Sequence, residues 1–274
     1  MVTKRNITIL LYHQIEPDLF STHLEYLQTN YNVISLRQAR TALIFSKKNN
    51  LPNRSLVITF DDGWRSNFSL FPILTKHNCN VTIFLPASFI NTKRKIWNYI
   101  LDESQQLMNN RLKEVSNCER VRILGQKYGY YQEKEYQERT LLNLSEIEKM
   151  KSYVDFQSHG MFHSVFTKCS ETELRTELVE SKRLLTDILQ KEIYAIAYPY
   201  GRAGKREIEA ARDAGYDIGR ISNSPFLNRI DDDPMSLAAV GVKSGSTVED
   251  LQRAIALAEI RTLFRVFSKP NTMR

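Results

Sequence analysis

The sequence predicts an α/β protein in which about seven parallel strands alternate with covering helices. Short β-branched or aromatic runs alternate along the chain with longer segments of helical spacing, which is the rhythm of βαβ units. The length of 274 residues suits one barrel or one doubly wound domain. Hydrophobic residues make up 42% of the chain, and no apolar run approaches the ~20 residues that span a bilayer, so an integral membrane protein is excluded.

Seven short runs are predicted as strands and three segments as helices. The strands are residues 7–12, 33–36, 56–60, 81–85, 154–157, 194–198 and 216–221. The helices are residues 68–77, 171–189 and 206–214, and the last is followed by Gly215, a residue type that favours the C-cap. Because strands and helices alternate, the strands should run parallel.

Two segments stand outside this alternation. We expect one catalytic domain over residues 1–274, with an insertion at about 93–140 that covers a site and a C-terminal amphipathic helix at about 247–267. One face of that helix carries Leu257, Ile260, Phe264 and Phe267, and another carries Arg261, Arg265 and Lys269. We expect the apolar face to pack on the body of the fold, and peripheral contact with a membrane surface is the alternative.

Charge and cysteine content narrow the partners and the location. The net charge is +7, but the basic residues are spread along the chain without a nucleic-acid-binding motif, so no nucleic-acid partner is expected. The three cysteines fit neither a disulfide framework nor a CxxC metal site. The short apolar run after the basic start has no cleavage site and is interpreted as a strand. The cytoplasm or its membrane face is the expected location.

Two carboxylates, Asp61 and Asp62, directly follow a predicted strand and precede Gly63. In α/β barrels the carboxyl ends of the strands are where active sites are built. Adjacent carboxylates repel each other, and an arrangement that keeps both ionised usually places a cation beside them. An Asp-Gly pair is also ordinary turn chemistry, so this motif alone does not establish a site.

A histidine pair, His159 and His163, follows another predicted strand. The spacing of four allows both imidazoles to reach one ion. Together with a strand-end carboxylate they would form a site with open coordination positions, as a catalytic metal needs. The same ligand set also permits a 2-His-1-carboxylate iron oxygenase.

A third motif, Tyr198-Pro199-Tyr200-Gly201, ends a further predicted strand. Proline and glycine favour a sharp turn there, which can direct a backbone N–H into a cleft as an oxyanion donor. Tyr200 is the candidate for that role, and Tyr198, Pro199 and Trp64 are candidate substrate-binding residues. Packing is the alternative role for these aromatic side chains.

The three motifs together, in this order, resemble those of the polysaccharide deacetylase family (NodB homology, carbohydrate esterase family four). The resemblance covers roughly residues 7–242 and implies a distorted (β/α) barrel of about seven strands, with zinc as the divalent metal. It also implies Asp61 as the catalytic base, and Asp62, His159 and His163 as the metal ligands.

Two departures from the family pattern bear on the mechanism. The family often has an arginine two residues before the proline of its third motif, where this chain has Ala197. Its usual general acid is a histidine near the C-terminal end, and no histidine follows His163. In a circularly permuted subgroup, similar to the poly-N-acetylglucosamine deacetylases, that histidine lies in a Tyr-His motif on the first strand. Tyr12-His13 matches this motif, so the resemblance implies His13 as the acid; backbone hydrogen bonding is its alternative role.

The expected function is therefore metal-dependent hydrolysis that removes N-acetyl groups from an amino-sugar glycan. Besides the iron oxygenase, a catalytically inactive carbohydrate-binding homologue stays open as an alternative. The persistence of both Asp61 and His13 argues against an inactive homologue, and the βαβ rhythm argues against an oxygenase.

Overall fold

The computed structural model describes residues 6–45, 51–222 and 226–264, and its centre is a curled sheet. The strands are β1 (Asn6–Tyr12), β2 (Asn32–Val33), β3 (Ser55–Phe60), β4 (Val81–Leu85), β5 (Val154–Ser158), β6 (Ala195–Ala197), β7 (Ile218–Arg220), β8 (Asn228–Arg229) and β9 (Val240–Gly241). Their order is β7-β6-β5-β4-β3-β1-β8, with β2 on β3 and β9 on β1. All these pairs are parallel except β1–β8.

One stretch of chain, residues 237–242, joins the two ends of the parallel array. Leu237 donates its N–H to the carbonyl of Gly219 at 2.8 Å, beside β7. A few residues later Val240 pairs with Leu10 of β1. The sheet thereby curls into a distorted barrel, and the carboxyl ends of β1, β3, β5 and β6 converge at one end of it.

The two faces of the strands have different partners. In β1, Ile7, Ile9 and Leu11 belong to a buried cluster that includes residues of β3, β4, β6 and β7, which is the barrel interior. Leu10 and Tyr12 point the other way and pack with buried residues of the surrounding helices. Strands β3 and β4 are buried along their whole length, as expected for parallel strands covered on both faces.

Helices surround the barrel and fill the long connections. They are α1 (Pro17–Asn30), α2 (Leu36–Ile44), α3 (Phe71–Lys76), α4 (Gln106–Leu112), α5 (Asn117–Tyr128), α6 (Leu144–Met150), α7 (Glu171–Arg175), α8 (Ser181–Leu189), α9 (Lys205–Asp213) and α10 (Val248–Phe264). A π-helical turn, Thr176–Glu180, joins α7 to α8. In the described part of the chain, no helix is both long enough and apolar enough to cross a membrane.

Most predicted strands lie where expected, and the departures concern one strand and several helices. The strand predicted at 33–36 is cut short because Ser35 caps α2, accepting the N–H of Gln38 in a capping box. The segment 68–77 is a 3₁₀ helix followed by α3, which begins at Phe71. Helices α1 and α2 were not predicted from the sequence. The insertion at 93–140 holds α4 and α5.

The predicted packing face of the C-terminal helix is wrong. Large apolar residues on the solvent side are Leu257, Ile260, Leu263 and Phe264, with exposed fractions of 46%, 49%, 65% and 67%. The buried residues are Leu251, Ile255, Ala258 and Thr262. The helix has apolar residues on both sides, so periodicity alone did not identify the packed one. Phe267, Arg265 and Lys269 of the predicted helix lie outside the described residues.

Candidate metal and hydrolase site

The carboxylates Asp61 and Asp62 lie on a tight turn at the end of β3. Asp61 donates its N–H to the carbonyl of Tyr12 at 2.9 Å, which fixes the turn against the end of β1. Asp62 and Gly63 both adopt left-handed backbone angles, with φ of 70° and 67°. A Cβ on Gly63 would lie 2.3 Å from a side-chain atom of Leu85, so glycine is needed there. Both carboxylates are buried at the rim.

The two histidines enter from the loop after β5. His159 donates its Nδ1–H to the carbonyl of Ala197 at 2.8 Å, which leaves Nε2 facing the carboxylates. His163 has a left-handed backbone, with φ of 55°, and its imidazole packs edge-on against that of His159 at 4.6 Å between centroids. Both side chains are buried.

Asp62, His159 and His163 form a compact cluster that fits a metal ion. Oδ1 of Asp62 lies 3.1 Å from Nε2 of His163 and 3.5 Å from Nε2 of His159, and one ligand atom from each residue falls within 4.8 Å of the others. Ligands bonded to zinc at 2.0–2.1 Å in a tetrahedron are roughly 3.3 Å apart. Among the described residues, none gives this buried Oδ1 a hydrogen bond of good geometry. An oxygen in that state suits a cation.

The protonation states also suit a cation. Burial by itself raises the pKa of Asp62, but the neighbouring imidazoles outweigh it, His163 first through its charge and its hydrogen bond, and they hold that pKa well below its usual range. Burial lowers the pKa of His159 to about 4, against the opposing influence of Asp61. An ionised Asp62 and a neutral His159 are the forms that bind metals.

Glu177 fixes the histidine loop, and sequence reasoning missed it. This carboxylate is 2% exposed, lies in the π-helical turn, and accepts the N–H of Met161 at 2.7 Å and that of Phe162 at 3.1 Å. Burial raises the pKa of Glu177, while hydrogen bonds from Ser164 and the loop oppose the shift. Gly160, with φ of 82°, leaves room for it, since a Cβ there would lie 2.5 Å from Oε2 of Glu177.

Arg220 of β7 forms a buried ion pair with Asp61. Its guanidinium Nη2 lies 2.5 Å from both carboxylate oxygens of Asp61, and Arg220 is 1% exposed. Ala197 of β6 is the direct register partner of Arg220. Arg220 therefore lies beside the position at which the family often has an arginine.

His13 lies at the end of β1, on the wall of an open cavity of about 1060 Å³ beside the cluster. The cavity is also lined by Trp64, Tyr99 and Lys243. His13 is exposed, and its carbonyl accepts a hydrogen bond from Nδ2 of Asn67 at 2.9 Å. Tyr99 of the same cavity wall donates its hydroxyl to Oδ2 of Asp62 at 2.9 Å, so the cavity adjoins the cluster.

The remaining predicted residues divide into cleft and core. Tyr200 has a left-handed backbone, with φ of 59°, and its ring lies 4.9 Å from that of His163. Trp64 is half-buried at the cavity. Tyr198 is 0% exposed, and its hydroxyl donates to the carbonyl of Met235 at 3.1 Å. Its prediction as a substrate-binding side chain is wrong. Successive residues of a strand point to opposite faces, and Tyr198 points into the core. Pro199 is also buried.

The family is decided by comparison with known proteins. The family model for polysaccharide deacetylases matches residues 48–219, which is more than half of the chain. The chain belongs to the polysaccharide deacetylase family. The membership predicted from the three motifs is therefore confirmed.

Individual relatives of this deacetylase-family chain are distant in sequence. It is 22% identical over 249 residues to YxkH of Bacillus subtilis (strain 168), spanning 87% of this chain and 72% of YxkH. The deacetylase PplD of Streptococcus pyogenes superposes with a TM-score of 0.68 at 21% identity, covering 92% of this chain and 99% of PplD. For IcaB from Ammonifex degensii the TM-score is 0.65 at 18% identity, covering 93% and 97% of the two chains. These likenesses confirm the predicted NodB-like barrel fold.

Proposed function

We propose that the protein is a metal-dependent hydrolase that removes N-acetyl groups from an amino-sugar glycan. One observation carries the proposal: a buried Asp62, His159 and His163 cluster lies beside Asp61, whose carboxylate is held by the buried Arg220. Membership in the polysaccharide deacetylase family supports deacetylation as the reaction and an acetylated glycan as the substrate.

Asp62, His159 and His163 are the proposed ligands of a divalent cation, with zinc as the proposed ion. When bound, such a cation polarises the acetyl carbonyl and lowers the pKa of water. Asp61 is the proposed base that takes the proton of the attacking water, and Arg220 fixes its orientation. The backbone N–H of Tyr200 is the proposed donor to the oxygen that becomes negatively charged.

The departing amine needs a proton, because an amide anion is a very poor leaving group. His13 is the proposed donor. Its exposed position on the wall of the cavity that reaches Asp62 through Tyr99 supports this role. Trp64 lines the same cavity and is the proposed sugar-contacting aromatic residue. The cavity beside His13 has room for the amino-sugar and its neighbours in a glycan.

The test is acetate release from N-acetylglucosamine oligomers, without oxygen, by protein reconstituted with Zn²⁺. The wild type should release acetate and stop after chelation. Asp61→Asn should keep the ion and lose about 10²–10⁴-fold in rate, whereas His163→Ala should lose both ion and activity. A metal-loaded wild type that releases no acetate from any N-acetylated glycan would favour an inactive carbohydrate-binding homologue. A requirement for oxygen would favour the oxygenase alternative.

We also propose that α10 makes peripheral contact with an anionic membrane surface. The exposed apolar residues Leu257, Ile260, Leu263 and Phe264 of its described C-terminal half are interspersed with the exposed Arg261. Glu249 and Asp250 lie in the first turn, so the C-terminal half is the contacting part. Sedimentation with phosphatidylglycerol vesicles tests this, and equal recovery with neutral vesicles would contradict it. The expected cytoplasmic location stays a prediction.

A further inference from the structure

One short turn of the insertion contacts the proposed metal site at three points. The turn is the 3₁₀ helix Trp97–Tyr99. The hydroxyl of Tyr99 donates to Oδ2 of Asp62 at 2.9 Å, and the indole N–H of Trp97 donates to the carbonyl of His163 at 3.3 Å. Asn98 accepts a hydrogen bond from the hydroxyl of Tyr200 at 3.1 Å. Three consecutive residues thus touch two proposed ligands and the proposed oxyanion donor.

The hydrogen bond from Tyr99 gives the two carboxylate oxygens of Asp62 different roles. Oδ2 accepts the Tyr99 hydrogen bond, while Oδ1 faces Nε2 of both His159 and His163. A carboxylate held in this way presents one oxygen to an ion. Rotation about the Cβ–Cγ bond, which would present both, would break the hydrogen bond from Tyr99.

The turn is itself firmly held by the insertion. Trp97 is 3% exposed and packs with Ile96, Leu112, Leu124 and Tyr130. The guanidinium of Arg120 lies 5.0 Å from the Trp97 ring. The Tyr99 ring meets Trp64 edge-on at 4.6 Å. Trp97 thus anchors the turn from which the partly exposed Tyr99 reaches Asp62, as an orienting residue requires.

We propose that Tyr99 is a positioning residue that fixes Asp62 for binding a metal through one oxygen. The insertion would then set the geometry of the metal site as well as forming part of the cavity wall. This inference rests on the proposed metal site, and it concerns residues that the sequence motifs do not include.

The experiment measures metal affinity in the absence of substrate. Zn²⁺ dissociation constants are determined by chelator competition for wild type, Tyr99→Phe and Tyr131→Phe. Tyr131→Phe is the matched control, since it removes a hydroxyl from an exposed tyrosine of the same insertion. Removing the hydrogen bond to a ligating group should weaken binding about 10–100-fold in Tyr99→Phe, with the control like wild type. The metal-free melting temperature should be the same in all three proteins.

Equal affinity in Tyr99→Phe and wild type would overturn the inference, as would an equal loss in Tyr131→Phe. Tighter binding in Tyr99→Phe would overturn it too, because it would mean that the hydroxyl competes with the ion. The visible spectrum of Co²⁺-loaded protein gives a second readout, since its intensity depends on coordination geometry; an unchanged spectrum would contradict the one-oxygen claim. A wild type that binds no metal would instead refute the proposed function.

Discussion

Removal of the Arg220 side-chain charge should be among the most damaging single changes outside the proposed metal ligands. Arg220 and Asp61 have side-chain exposures of 1% and 7%, and Nη2 lies 2.5 Å from both carboxylate oxygens. In Arg220→Met the carboxylate stays buried without its partner, and breaking a buried ion pair costs about 3–5 kcal/mol. His159 has Nε2 3.7 Å from Asp61, but burial favours its neutral form and limits compensation.

The assay is urea unfolding of the metal-free protein. With a slope of ~1–3 kcal/mol per molar urea, a loss of about 3–5 kcal/mol should lower the midpoint by roughly 1–5 M. Arg183→Met is the matched control, because the pairs of Arg183 with Glu180 and Asp187 are on the surface. Such pairs contribute about 0–1 kcal/mol. If Arg220→Met cost no more than Arg183→Met, the argument that Arg220 neutralises a buried carboxylate would be wrong.

Moving the arginine to the neighbouring strand tests whether its position matters as well as its charge. Ala197 and Arg220 are register partners, so Ala197→Arg combined with Arg220→Ala moves the guanidinium to the neighbouring strand. The double variant should recover part of the deacetylase activity that Arg220→Ala loses. No recovery, in a double variant that folds and binds metal, would mean that the approach direction to Asp61 matters as much as the charge.

Three further predictions concern other parts of the site. Gly160→Ala should cost about 1–3 kcal/mol of unfolding free energy and weaken Zn²⁺ binding, because its Cβ would collide with Glu177; unaltered stability and affinity would contradict the packing argument. His13→Ala should retain metal, lose most turnover on N-acetylated sugars and lose less on an aryl acetate ester whose leaving group needs no proton; equal losses on both substrates would assign His13 a structural role. Burial lowers the pKa of His23, so below about pH 6.5 the unfolded chain takes up a proton that the folded chain does not. The unfolding free energy should therefore fall as the pH decreases from about 7.5 to 5.5, and His23→Gln should flatten this slope; an identical slope in the variant would show that other groups cause it.

The sequence predicted the site residues that directly follow the ends of parallel strands. Asp61, Asp62, His159 and His163 follow buried strands directly, and parallel strands bring their carboxyl ends to one rim. Motif order and strand ends were sufficient to expect these residues near each other, and the structure places Asp62 and the two histidines in one cluster.

The residues that support the site could not be found in this way. Arg220 depends on which residue of β7 lies opposite Ala197, a register that only the folded sheet defines. Glu177 points at the histidine loop from a π-helical turn, where ordinary helical spacing does not apply. Tyr99 lies in an insertion without periodicity. Two sequence signals for Arg220 were present. It lies near the end of a predicted strand, and position 197 lacks the arginine that the family often has.

The pairing of β1 with β9 implies an order in which the parts of the site fold. Leu10 pairs with Val240, so nearly the whole described chain lies between the strand that carries His13 and its neighbour. Contacts over such separations form late, because loop closure costs entropy before the contacts stabilise it. During synthesis, the proposed acid emerges early and stays without its final surroundings until residues 237–242 have joined β7 to β1. Return of turnover after denaturation should therefore lag behind the return of helical signal and of metal binding, because the proposed ligands follow β3 and β5 directly.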